Sequence, residues 1–118
     1  LLEDRNEVDE AGEPLLDDNG NQVVTKGLKS QKKDIIKQQA SGLLTPTDWY
    51  IIKATDVESY SVPSAVTTFR ADVRTKSNDM EVLINACSTV DELAALYIYT
   101  GDPGSRTRPL GEFPILEV

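Results

Sequence analysis

Apolar residues recur at helical spacing only between Leu28 and Tyr97. Outside that window the chain is dense in turn formers and charge. Whatever core this chain builds must therefore come from a few amphipathic helices, because three-to-four spacing marks one face of a helix. In the first helical stretch, Leu28 to Ala40, Ile35, Ile36 and Gln39 share a face with Leu28 and Lys32, and Lys29, Lys33 and Lys37 lie on the other. Ser41-Gly42 closes it, since glycine is common just past a helix end. A second stretch carries Ala65, Val66, Phe69 and Val73, with Arg70, Arg74 and Lys76 outside. It continues through Met80, Leu83, Ile84 and Cys87 and predicts a helix over 63–86, with Ser77-Asn78-Asp79 as a potential break. Thr89 and Glu92 form a capping box for a helix over 90–98 that buries Leu93, Leu96 and Tyr97.

Between these lies Thr45-Pro46-Thr47-Asp48. Thr45 can cap, Pro46 suits a first helical position, and Asp48 faces the positive end of the helix dipole. A short helix over 46–55 follows, turning Trp49, Ile52 and Tyr50 inward. The β-branched Ile51-Ile52 pair keeps a strand as the alternative.

The ends read differently. Residues 1–13 are an acidic arm that orders when a partner fixes it. In residues 14–27, Asn19-Gly20 suits a tight hairpin turn and predicts pairing of 14–17 with 22–25. The Asp-Asp-Asn-Gly run invites a calcium loop, but Lys26 stands where an EF-hand needs glutamate. Residues 99–118 are an extended tail whose apolar end needs a surface to cover. The expected fold class is mainly α: a small helical module at 28–98, an N-terminal β-hairpin and an extended C-terminal arm. No internal repeat or low-complexity tract is read.

Composition removes whole classes of chemistry. There is no histidine in the 118 residues, which excludes Ser-His-Asp triads, Cys-His dyads and imidazole metal sites. The single cysteine, Cys87, excludes an internal disulfide and a CxxC zinc site. As a nucleophile it would need a lysine or carboxylate for activation; the simpler reading is a small buried hydrophobe beside Leu83 and Ile84. Asp17-Asp18 and Asp91-Glu92 are paired carboxylates, but each has a local structural reason in a turn or a first helical turn. No phosphate-binding glycine loop is present. The expectation is no catalytic residue, no metal and no cofactor.

The net charge is −8, unevenly spread. Residues 1–22 carry −7, residues 23–53 carry +4 and residues 54–118 carry −5. A phosphate backbone repels such a surface, and the lysine face lacks interleaved aromatics, so nucleic-acid binding is not expected. No run reaches the roughly 20 apolar residues of a membrane span. No secretory signal is read, and a first residue that is not Met points to processing or to a start upstream.

Leu43-Leu44-Thr45-Pro46-Thr47-Asp48-Trp49, then Val62-Pro63-Ser64, then Phe69-Arg70-Ala71-Asp72-Val73-Arg74, resembles the helical module of phage tail-fibre assembly and tail assembly chaperone proteins. Ala86-Cys87-Ser88-Thr89-Val90-Asp91-Glu92-Leu93 is similar to a segment of phage structural proteins. The likeness covers residues 43–93. It implies a non-enzymatic virion protein of the tail, tail fibre or baseplate, found in the tail region of the particle and in host cytoplasm during assembly. Its partners would be other phage structural proteins or copies of itself in an oligomer, with no nucleic acid and no membrane. Trp49, Tyr50, Phe113, Ile115, Leu116 and Val118 are the candidate interface residues. Two alternatives stand: a transient assembly chaperone absent from the finished particle, and an acidic regulatory or inhibitor protein.

Overall fold

The computed structural model describes residues 1–116. About half the chain is helical, in the order β1 (Arg5–Asn6), β2 (Val24–Thr25), α1 (Leu28–Leu44), a 3-10 turn (Thr45–Thr47), α2 (Asp48–Asp56), α3 (Ser64–Asn85) and α4 (Val90–Ala95). The protein is small and mainly α, as the periodicity predicts.

Its centre is the antiparallel pair α1–α3. Val66, Phe69, Val73, Ser77, Met80 and Ile84 form one buried stripe along α3. Ile36 meets Met80 and Ile84, while Ala40 meets Phe69 and Val73. Ser77-Asn78-Asp79 does not break α3, because Ser77 is small enough to face the seam and the other two face water. Cys87 is buried beside Ile84, and its thiol lies 3.4 Å from the Leu83 carbonyl, the inert reading of that residue. The Thr89 cap forms as expected. Glu92 donates its amide to Thr89 Oγ1 at 3.1 Å, and the Glu92 carboxylate accepts from Ser88 N at 2.5 Å.

Several boundaries differ from the sequence expectation, each for a packing reason. α1 runs through Gly42 to Leu44, because Leu43 and Leu44 pack against the Ala40, Phe69 and Val73 cluster. That burial outweighs the roughly 1 kcal/mol that a helical glycine costs. Lys29 is not on the outer face. It is buried, pairs with Glu3 at 2.6 Å and donates to the Asn85 carbonyl at 2.9 Å. Its ammonium thus caps the C-terminal end of α3, where a helix leaves carbonyls unpaired. Ile35, expected inside, is exposed. α4 stops at Ala95, short of 98, though Leu93 is buried as predicted.

The N-terminal region is a three-way junction rather than a simple hairpin. β1 pairs with β2, Arg5 opposite Thr25 and Asn6 opposite Val24, while the expected pairing of 14–17 with 22–25 forms in part, at Leu16 with Gln22 and Leu15 with Val23. Residues 14–16 still join, through bridges from Val8 to Pro14 and from Leu16 to Gln22. At the centre Glu7 N donates to Val23 O, Leu15 N to Glu7 O and Val23 N to Leu15 O. The Gln22 side-chain amide sits among the same three carbonyls at 2.8, 3.1 and 2.9 Å. Those three residues are eight apart. The spacing reveals a repeat missed in the linear reading: Val8-Asp9-Glu10-Ala11-Gly12-Glu13 and Leu16-Asp17-Asp18-Asn19-Gly20-Asn21. In both copies the aspartate Oδ1 accepts the amides two and four residues on, and the glycine adopts positive φ. Local hydrogen bonding is what an Asx turn requires, and it uses the Asp17 oxygen that a calcium loop would need.

Both ends of the chain complete the core. Leu28 N and Lys29 N, unpaired donors at the start of α1, donate to Leu1 O and Leu2 O at 2.8 and 3.1 Å. Gly27 N donates to Asp4 Oδ1 at 2.9 Å, and a Cβ on Gly27 would overlap the Glu3 carbonyl. Leu2 packs on the Ile36–Ile84 cluster. At the other end Leu110 is fully buried in that cluster, though the reading from periodicity ended the core at 98. Its amide donates to Leu96 O at 3.1 Å.

Two expectations follow. Leu110→Ala should cost about 2–5 kcal/mol in urea denaturation, as for any buried leucine truncation; a tail outside the core would lose under about 0.5 kcal/mol. Hydrogen bonds from Ser30 and from the Gly27 amide hold the Asp4 carboxyl below its ordinary 3.8, and the Thr25 hydroxyl and Arg5 hold Glu7 below its ordinary 4.5. A depressed carboxylate stabilises the fold above its unfolded value and loses that effect as pH falls through its folded value. Asp4→Asn should therefore lower Tm at neutral pH, with the gap from wild type closing only below pH 3.8. Thermal melts across that range check this.

Candidate interaction surface

The corner where α1 gives way to α2 is built by one arginine. Pro46 lacks an N–H, so the α-ladder cannot continue through it. The chain tightens into the 3-10 turn, and Thr45 Oγ1 donates back to Ser41 O at 2.8 Å rather than capping forward. Thr47 Oγ1 donates to Leu44 O at 2.7 Å. From α3, Arg70 Nη1 donates to Leu44 O at 3.1 Å, Thr47 Oγ1 at 2.6 Å and Asp48 Oδ1 at 2.9 Å. The Arg70 side chain is 12% exposed against 51% for that of Asp48. Arg70 is thus a bolt through the corner, whereas the sequence placed it on the outer face. Its signal was the Thr-Pro-Thr-Asp turn itself, which leaves a carbonyl and a carboxylate in want of a donor.

The consequence is the orientation of α2. Residues 46–55 are helical, not a strand, but the helix carries no buried residue. Trp49, Ile51 and Ile52 project into solvent, Trp49 at 50% and Ile52 at 61% exposure. The expected inward turn of Trp49 and Ile52 is corrected here: with Arg70 fixing Asp48, the α1–α3 seam is already filled by Leu43, Leu44 and Phe69. Tyr50 is half-buried and stacks on Trp49 at 3.8 Å between centroids. Lys53 lies over the Tyr60 ring at 4.4 Å.

The other candidates lie on the C-terminal segment. Phe113 is half-buried between the two apolar clusters, and Leu116 packs against Ala40, Phe69 and Val73. Ile115 is 83% exposed. Val118 lies outside the described residues. The segment is led in by Arg108, which sits against the Tyr97 and Tyr99 rings and pairs with Glu112 at 3.1 Å. Burial pushes the Tyr97 hydroxyl up, and the Glu112 carboxylate, accepting from Tyr99, does the same there. Two groups thus emerge, one on α2 and one across the α1–α3 pair.

The overall shape suits surface contacts. The radius of gyration is 19.7 Å, against about 13.5 Å for a compact domain of this length. The thinnest dimension is 17 Å. A hollow of about 650 Å³ lined by Tyr99, Pro103, Gly104 and Arg106 is wide open. Among the described residues no three cysteine, aspartate or glutamate side chains cluster as a metal site, and no helix is long and apolar enough to cross a membrane. No family model, curated protein or solved structure matches the chain.

Arg70→Met removes the one nitrogen that donates to Leu44, Thr47 and Asp48. It should cost about 1.5–3 kcal/mol, and amides of 49–56 should exchange faster while those of α3 keep their order of protection.

Proposed function

We propose that the chain is a non-enzymatic structural protein of a phage tail, tail fibre or baseplate that works by protein–protein assembly. The observation that carries this reading is the apolar face of α2, held away from the body by Arg70 with Trp49 and Ile52 in solvent. A small protein with a modest core gains nothing in folding from exposing its one tryptophan. Tryptophan is also the residue type most enriched where interfaces concentrate their binding energy. The stretch carrying the likeness to tail assembly modules, Leu43–Trp49, forms this same corner. The flat, elongated outline and the open hollows favour broad contacts over enclosure of a small substrate.

The test is the composition of particles purified from the host that expresses this chain. Mass spectrometry should find the protein in finished particles in fixed ratio to a known tail component. The combined change Trp49→Ala and Ile52→Asp should fold, because neither side chain is buried, yet be missing from particles by at least tenfold. A wild-type protein absent from particles but bound to fibre subunits in lysate would replace this reading with the transient chaperone.

A further inference from the structure

The eight-residue repeat gives the N-terminal junction an internal threefold order. Asn6 pairs with Val24, Pro14 with Val8 and Gln22 with Leu16, each pair the equivalent of the next. Glu7, Leu15 and Val23 pass main-chain hydrogen bonds around the centre. An even spacing keeps every copy in the same phase of strand alternation. Even-numbered side chains therefore share one face and odd-numbered ones the other. Two sets of contacts agree. Glu7 meets Arg5 and Thr25 on the odd face, and Gln22 sends its amide from the even face to the carbonyls of 7, 15 and 23. The even face is then Val8, Pro14, Leu16 and Val24 around the Gln22 amide. Among the described residues nothing covers it: Val8 is 57%, Leu16 55% and Val24 43% exposed. The junction is closed by main-chain bonds and by Gln22, so its shape does not depend on burying these aliphatics.

We propose that this face is a docking platform for a protein surface that presents an apolar patch bordered by lysine or arginine. The charge around it selects the occupant. The Val8–Pro14 pair closes the turn 9–13, and the Leu16–Gln22 pair closes the turn 17–21. Those turns carry Asp9, Glu10, Glu13, Asp17 and Asp18, and among the described residues none of the five is in an ion pair. The nearest cations in sequence are engaged elsewhere: Arg5 pairs with Glu7, Lys26 with Asp34 and Lys29 with Glu3. Carboxylates at the edge of an apolar contact steer in a cationic partner and repel an anionic one. A second copy meeting this face with its own would set −7 against −7 over residues 1–22, and a nucleic acid would bring phosphate. The platform is also preorganised. Its strands are pinned by the central ring of hydrogen bonds, so docking gives up little backbone freedom. This surface lies on a different element from α2 and stands independently of the virion reading.

The experiment titrates a synthetic amphipathic helical peptide of leucine and lysine into the isotopically labelled full-length protein and follows amide resonances. The amides of Val8, Leu16, Gln22 and Val24 should shift on binding. Val8→Ser with Leu16→Ser keeps every charge and should weaken binding by roughly tenfold or more. Glu10→Gln with Asp18→Asn keeps the apolar face and should also weaken it, as should added salt. Trp49→Ala should leave binding unchanged. The shifts are read on wild type, so the outcome does not hang on how a variant folds. Shifts that gather on α2 or at Asp91 and Glu92 instead of the junction overturn the proposal. So does a serine variant that binds as tightly as wild type, since charge alone would then be the cause, or a leucine–glutamate peptide that binds as well as the lysine one. Self-association of wild type in sedimentation, abolished by Leu16→Ser, overturns it in favour of a second copy. Junction binding by a chain missing from particles would uphold the platform and defeat the virion reading.

Discussion

Everything in this protein hangs on the antiparallel seam between α1 and α3. Two helices can bury one stripe each, and no more. Here those stripes are Ile36 and Ala40 on one side and Phe69, Val73, Met80 and Ile84 on the other. A pair of helices alone leaves the edges of that stripe open to water on both faces. The rest of the chain answers this deficit. α4 brings Leu93, the N-terminal segment brings Leu2, and the C-terminal segment brings Leu110 and Phe113. The result is a thin slab stabilised by borrowed residues from both ends, as expected when a short chain has too little apolar area for a self-contained core.

The same deficit explains why α2 is left outside. The seam near the Thr45–Thr47 turn is already filled by Leu43, Leu44 and Phe69. Arg70 then fixes the turn with hydrogen bonds to Leu44, Thr47 and Asp48. An exposed tryptophan is thereby a product of core geometry, and it is also the feature that makes an assembly role the most economical reading.

Elements whose cause is local were legible in the sequence. The span of α3 followed from its apolar period, the start of α4 from Thr89 and Glu92, and the burial of Cys87 from its place beside Ile84. Elements whose cause is remote were not. Lys29 reads as an outer lysine until Glu3 and the Asn85 carbonyl arrive from distant parts of the chain. Gly42 reads as a stop until Leu43 and Leu44 find Phe69. Leu110, alone among turn formers, has no periodicity to announce it. Arg70 and Trp49 exchanged their expected places because a corner was needed. The three-way junction was hidden for a subtler reason: its eight-residue repeat lies in aspartate and glycine positions, where apolar patterning is silent. Of the interface candidates, Trp49 lies in solvent where its helical spacing placed it inward, Ile115 is exposed, and Phe113 and Leu116 serve the fold as well.

The claim that both chain ends belong to the folded body is the one on which the account rests. Residue-resolved hydrogen exchange of the purified chain tests it most directly. The amides of Leu28, Lys29 and Leu110 donate to Leu1, Leu2 and Leu96 carbonyls. If the ends complete the seam, these three amides exchange in the same slow class as the middle of α3. If they exchange as fast as the exposed turn at Asp102–Ser105 while α3 stays protected, the helix pair stands without its ends and the account fails.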